Sequence, residues 1–395
     1  MPKQAVVAGV GMTPFVKPGT SAAYPDMGAA AGRLALEDAG IDFKSIQQAY
    51  VGFVYGDSTA GQAAVYKLGL TGIPVLNVNN NCSTGSSALF LARQAVESGA
   101  VECALALGFE QMAPGAISVV FGDRPSPLQK FLDIADAKFE GASNIPSAIR
   151  LFGGAGYEYQ QKYGAKTETF AKVREKASKH AKDNERALFR KLVSVEDVMA
   201  GEKIFLNVTK LHCCPPTCGA AAAVICSPEF ARRHGLRSDV VIAGQSMVTD
   251  FDSSFSEGSM IKAVGSDMTR AAANDVYRQA GIGPDDVDVV ELHDCFTMNE
   301  VITYEGLSLC GEGEAEKWIW DGNNTYGGQV VTNPSGGLLS KGHPLGATGL
   351  AQCFELVKQL RGDCGPRQVE GAKIALQHNL GLGGAAVVTL YQKQG

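Results

Sequence analysis

Short apolar runs alternate along this chain with longer segments of helical period. "ECALALG" (102–108) and "AKIALQH" (372–378) read as buried strands, as do "GAAAAVICS" (219–227) and "GAAVVTLYQ" (384–392). Between such runs lie alanine-rich helical stretches, "DMGAAAGRLALEDAGIDFKSI" (26–46) and "DMTRAAANDVYRQAGIGPDDV" (267–287). The helix predicted over 83–97 is apolar on most sides, with Ala88, Leu89, Phe90, Leu91, Ala92, Ala95 and Val96. It belongs between layers rather than on a surface.

These segments repeat. The two alanine-rich stretches align without a gap, matching Asp26 with Asp267, Met27 with Met268 and Gly40 with Gly281. "CSTGSSALFLA" (82–92) matches "HPLGATGLAQC" (343–353): each is a small-residue turn centred on a glycine, Gly85 or Gly346, that opens an apolar helix. That alignment sets Cys82 opposite His343. The strand pairs follow in the same order, with roughly 105 more residues between the last two strands of the first copy. Two copies of a strand–helix–strand pattern predict stacked α/β layers. Residues 1–110 and 215–262 form the first half, 111–214 an insert and 263–395 the second half. The insert differs in texture: "KTETFAKVREKASKHAKDNERALFRK" (166–191) is charged and mostly basic. It reads as a solvated helical face, or as a lid whose lysines and arginines meet a phosphorylated ligand.

Composition narrows the partners. The chain has 395 residues, 45% hydrophobic and 19% charged, with a net charge of −6. That is a globular protein with no reason to expect nucleic acid or an anionic membrane. The N-terminus lacks a signal peptide's apolar core, and no apolar run reaches the roughly 18–20 residues of a membrane span. Ten scattered cysteines read as reduced thiols in a cytosol-like compartment. The sequons at Asn81, Asn207 and Asn323 then read as coincidence, and the terminal "YQKQG" is no organelle address.

Four segments carry candidate chemistry. Cys82 stands where a helix begins, and unpaired N–H groups and the helix dipole favour thiolate there. A lone cysteine is ordinarily a small buried hydrophobe; the helix end and the histidine matched to it reverse that reading. Under the repeat, two buried helix starts aim a sulfur and an imidazole at one place, a nucleophile and its proton partner. "ELHDCFTMNE" (291–300) follows an apolar strand and delivers His293, Asp294, Cys295 and Asn299 to a sheet edge, where α/β ligands bind. "NPSGGLLSKGHPLGATG" (333–349) is glycine-rich around His343, and "QHNLGLGG" (377–384) ends a strand in a turn whose N–H groups suit an anion. Two other signals are weak. Cys213, Cys214 and Cys218 lack the second ligand pair of a zinc module, and "VVAGVGMTPF" (6–15) has no third glycine for a dinucleotide turn.

"NCSTGSSAL", "NPSGGLLSKGHPLGATG" and the duplicated halves around an insert resemble the thiolases, the acyl-CoA acyltransferases, over nearly the whole chain. "HDCF" and "HNLGLGG" resemble the sterol-carrier-protein X branch. The resemblance implies a thiolase fold, five layers α/β/α/β/α with an inserted loop domain that lids coenzyme A. It implies thiolytic cleavage of 3-oxoacyl-CoA, including 2-methyl-branched and sterol-side-chain forms, with Cys82 as nucleophile and His343 activating it. His293 stands where most thiolases have asparagine and would help hold an oxyanion. The second cysteine of the common Cys-X-Gly turn is missing, since His378-Asn379 occupies that turn. Cys295 then becomes the second acid/base, with His378 the alternative. Backbone N–H groups of Cys82 and of Gly381 or Gly383 would form the other oxyanion site. No metal or resident cofactor is implied; coenzyme A is substrate. A homodimer or homotetramer is expected, in the cytoplasm or, in a eukaryote, the peroxisome. Sterol transfer is not expected, because no lipid-carrier segment follows. A ketosynthase-like condensing enzyme and a non-catalytic partner protein are the rival readings.

Overall fold

The computed structural model describes residues 4–114 and 121–394. The first half runs β1 (Val6–Met12), α1 (Tyr24–Ala39), β2 (Gln48–Gly52), α2 (Ala60–Val65), β3 (Val75–Val78), α3 (Thr84–Glu97) and β4 (Cys103–Glu110). The insert follows as α4 (Gln129–Lys138), α5 (Ser147–Tyr163), α6 (Thr167–Ala181), α7 (Val195–Met199) and a small hairpin, β5 (Lys203–Phe205) with β6 (Val208–Thr209). The chain then resumes with β7 (Gly219–Cys226), α8 (Pro228–His234) and β8 (Val240–Val248). Short helices α9 (Ser253–Ser256) and α10 (Met260–Ala263) lead to α11 (Ser266–Ala280) and β9 (Val289–Glu291). Next come α12 (Thr297–Gly306), α13 (Ala315–Trp320), β10 (Val331–Thr332) and α14 (Gly337–Ser340). The chain closes with α15 (Thr348–Arg361), β11 (Ile374–Gly381) and β12 (Ala385–Lys393).

Ten strands follow the order β10-β9-β11-β12-β8-β1-β7-β4-β2-β3, so the duplication is written into the sheet: five strands from each copy, in mirrored order. The halves meet at one β1–β8 pairing, Val6 opposite Val241. Strand β8 therefore takes the place that β1 takes in the first half, and the second copy begins at Val240, ahead of the boundary at 263 expected from sequence. The aligned helices are α3 and α15, both 14 residues from Thr84 and Thr348. That pairing sets Cys82 opposite Gly346 rather than His343, a slip of three residues.

Three apolar clusters give the expected five layers. One packs α1 and α2 on the outer face of the first half-sheet. The middle cluster joins α3 and α15 to inward residues of both half-sheets, and the third packs α11, α12 and insert helices outside the second. Strand period sorts β4 cleanly: Leu105, Leu107 and Phe109 point outward, Ala104 and Ala106 inward. Small inward residues let the central helices approach closely. A Cβ on Gly108 would lie 2.1 Å from the Gly346 carbonyl oxygen. Gly108→Ala should thus cost about 1–3 kcal/mol through overpacking; an unchanged urea midpoint would contradict this packing.

The glycines of "VVAGVGM" serve α1, not a dinucleotide. Cβ atoms on Gly9 and Gly11 would come within 2.3 and 2.4 Å of the Ala35 and Ala31 carbonyls. The basic insert segment is only partly solvated: Lys166, Lys179, Lys182, Arg190 and Lys191 are exposed, while others turn inward. Arg174, Lys176 and His180 of α6 are buried. Arg174 donates to Leu339 O (2.8 Å), Lys176 pairs with Glu300, and His180 contacts Asn333 O (3.0 Å). These bonds steady the segment that carries His343.

Candidate active site

The loop before α3 places Cys82 on a strained corner. Asn81 holds a left-handed φ of 52°, which asparagine tolerates better than most residues. Its Nδ2 donates to Leu382 O (2.8 Å), and its Oδ1 accepts from the Cys82 thiol (3.6 Å). The glycine turn presses against this loop: a Cβ on Gly381 would lie 2.1 Å from Asn80 O, and Gly383 has φ +102°. The amide from this turn that bears on the sulfur is Leu382, between the two glycines singled out from sequence. Cys82 keeps 8% exposure, whereas Cys103, Cys218, Cys226 and Cys353 keep none.

The Cys82 sulfur and one ring nitrogen each from His293 and His343 all lie within 4.8 Å of one another. The two rings stand edge to face, centroids 5.0 Å apart. Their hydrogen bonds give them opposite tautomers. Thr348 Oγ1 donates to Pro344 O (3.0 Å), so it accepts from His343 Nδ1 (2.7 Å). The His343 lone pair is then on Nε2, which is buried and makes no hydrogen bond among the described residues. Asn379 Nδ2 donates to Cys82 O and to His293 Nδ1, both at 3.1 Å. The His293 proton is then on Nε2. One ring can accept a proton and the other can donate a hydrogen bond.

Sulfur with two imidazoles is also a zinc donor set. Here both His293 nitrogens are committed, Nδ1 to an amide donor and Nε2 to its proton, so the trio suits proton chemistry better. Cys213, Cys214 and Cys218 do not converge on a further set of three ligands among the described residues.

Burial sets the charge states. It pushes the His343 ring down to about 3 and, with the His343 and His378 imidazoles alongside, holds His293 well below the usual range. Burial also pushes the Cys82 thiol up to about 12; the Glu110 carboxylate adds to the rise, and the Leu382 and Cys82 amides oppose it. Loss of solvent therefore works against the thiolate that the helix start favours. Alkylation of Cys82 in the free protein should keep rising with pH through about 10; a plateau near pH 7 would contradict a neutral resting thiol.

Cys295 sits in the turn between β9 and α12, buried, its thiol raised by burial and then by the neighbouring Cys214, Cys82 and Asp294. Asp294 fixes this turn to α14, accepting from Leu338 N (2.7 Å) and Leu339 N (3.3 Å). His378 points the other way. Its Nε2 meets Thr269 Oγ1 (3.0 Å) and its Nδ1 accepts from His293 N (3.5 Å), so both nitrogens are occupied. On β11 the residue facing Cys82 is Asn379, one position along. Sequence reasoning missed it, along with Thr348; alternation of faces along "LQHNLG" was the available signal for Asn379.

Comparison with known proteins gives the family. Residues 5–196 match the family described as "Thiolase, N-terminal domain", and residues 253–393 match "Thiolase C-terminal domain-like". The chain belongs to the thiolase family, whose members are acyltransferases. Within it, rabbit (Oryctolagus cuniculus) sterol carrier protein 2 is 57% identical over 390 residues, 98% of this chain and 71% of the rabbit protein. Two solved structures share the fold. The Ltp2-ChsH2(DUF35) aldolase matches with TM-score 0.83 at 23% identity, over 99% of this chain and 98% of that one. Human mitochondrial 3-ketoacyl-CoA thiolase in complex with CoA matches with TM-score 0.76 at 18% identity, over 100% and 98%.

Proposed function

We propose that this protein cleaves 3-oxoacyl-CoA with coenzyme A, through an acyl group carried on Cys82. The observation that carries this reading is the nucleophilic sulfur within 4.8 Å of two imidazoles whose hydrogen bonds assign them opposite roles. Sulfur attacks C3 while its proton passes to His343 Nε2. The C2–C3 bond breaks, its electron pair forms an enolate whose oxygen His293 Nε2–H holds, and Cys295 protonates C2. Acetyl- or propionyl-CoA leaves. A second coenzyme A thiol then gives its proton to the Cys295 thiolate and attacks the thioester; His343 returns its proton to the departing Cys82 sulfur. The Cys82 and Leu382 N–H groups suit the oxyanion of each tetrahedral intermediate, and one such donor is worth about 3–4 kcal/mol.

The insert, residues 111–214, is the candidate lid for coenzyme A. Straight, 2-methyl-branched and sterol-side-chain substrates form the panel that tests the reading: CoA-dependent cleavage of at least one is expected. Malonyl decarboxylation without cleavage would favour a condensing enzyme. The aldolase-named neighbour poses a sharper alternative, since aldol cleavage leaves no acyl group on sulfur; inertness toward every substrate would favour a partner protein.

No described helix is long and apolar enough to cross a membrane, which fits a cytoplasmic or peroxisomal setting. Strand β3 ends the sheet with Leu76 exposed, and an open edge of this kind readily accepts a second copy. Light scattering should return a multiple of 41.5 kDa; a single-chain mass would refute the dimer or tetramer.

A further inference from the structure

Strand β4 ends in a buried carboxylate with no cation paired to it among the described residues. Glu110 is 1% exposed, and its oxygens accept from three backbone N–H groups: Val54 (3.1 Å), Tyr55 (2.9 Å) and Gly346 (3.0 Å). An unpaired buried charge is costly even when well hydrogen-bonded. These three bonds join the loop after β2 to the turn between His343 and α15. Gly346 is wedged there, with room for no side chain: a Cβ would meet Phe109 O at 2.3 Å and Gly52 O at 2.7 Å. It stands between His343 and Thr348, the residue that fixes the His343 ring. Cys82 lies in the same apolar cluster as Phe53, Phe109, Met112 and Leu345, which flank the carboxylate in sequence or at the turn. The titratable groups facing Glu110 are the Tyr55 phenol and the Cys82 thiol, each pushed up to about 12 with burial the main cause. Burial raises Glu110 itself to about 7.

We infer that Glu110 is a positioning residue with two separable roles: its three bonds seat the turn that carries His343, and its negative charge opposes a resting thiolate at Cys82. The effect on turnover rests on the thiolysis reading. The effect on the thiol concerns the free protein and does not.

Two variants that both loosen the turn differ in charge. Glu110→Gln loses the charge and turns one accepting oxygen into an N–H donor, so it cannot hold all three amides; Glu110→Asp keeps the charge but is one methylene too short to hold them. Chloroacetamide labelling of Cys82 in the free protein at pH 8, followed by peptide mass, should run about tenfold faster in E110Q, because removing a nearby negative charge favours the thiolate. In E110D it should stay within about twofold of the native rate. Both variants should lose about 10–100-fold in kcat with little change in KM, as a displaced catalytic group requires. Native-rate labelling in E110Q, or equal acceleration in both variants, overturns the inference. Should a variant not fold, hydrogen exchange of the native protein decides. From pH 8 to 5.5, after correction for intrinsic rates, the amides of residues 54, 55 and 346 should lose protection together while β12 does not; unchanged protection overturns the inference. Labelling that shifts as expected in a protein without thiolysis overturns the thiolysis reading alone.

Discussion

Cys82→Ala should lower thiolysis by about 10⁵–10⁶-fold while leaving the fold intact. The magnitude is that of removing a nucleophile whose partners act only through it. His343 would still hold a lone pair on Nε2 and His293 its proton, but no atom remains to carry the acyl group. Stability should change little, because the side chain is small and its thiol donates only a weak bond, to Asn81 at 3.6 Å. Steady-state rates beside a thermal melt check both parts. A loss under tenfold would mean that cleavage does not pass through this sulfur.

Cys295→Ala should cost about 10²–10⁴-fold, the usual worth of a positioned acid or base. The enolate that departs from C3 needs a proton on C2, and the incoming coenzyme A thiol must lose one; a single thiol between the two half-reactions would serve both. Cys82 should still be alkylated in this variant, since that step needs no second acid. His378→Asn provides the contrast. With both ring nitrogens tied to Thr269 and the His293 amide, His378 can affect the rate only by letting His293 move, a smaller loss. Full activity in Cys295→Ala beside an inactive His378→Asn would reverse the assignment.

Local pattern carried much of this molecule. Apolar runs such as 219–227 and 384–392 became the long strands β7 and β12, and the repeat became a sheet of matched halves. The convergence of Cys82, His293 and His343 was legible from helix starts and a strand end. Register was not: "TGSSALF" and "TGLAQCF" align on Thr84 and Thr348, but glycine-rich turns match at several offsets, so Cys82 slid onto His343. Charge state was not legible either. A helix start is visible in sequence while depth is not, and depth works against the thiolate that the helix start favours. The tautomers depend on partners far along the chain. Asn379 reaches Cys82 across 297 residues, a contact no local periodicity announces. The basic helix was only half legible for a related reason: residue type shows charge, but Glu300 opposite Lys176 appears only once α6 and α12 are packed.

Intact-mass and peptide analysis after incubation with 3-oxoacyl-CoA, quenched in acid before coenzyme A is added, decides whether this pocket performs acyl transfer. The peptide bearing Cys82 should gain the mass of the acyl chain shortened by the released unit and lose it when coenzyme A is supplied. Substrate cleaved with no mass gained on that peptide, or the adduct found on Cys295, would contradict the mechanism drawn from the site.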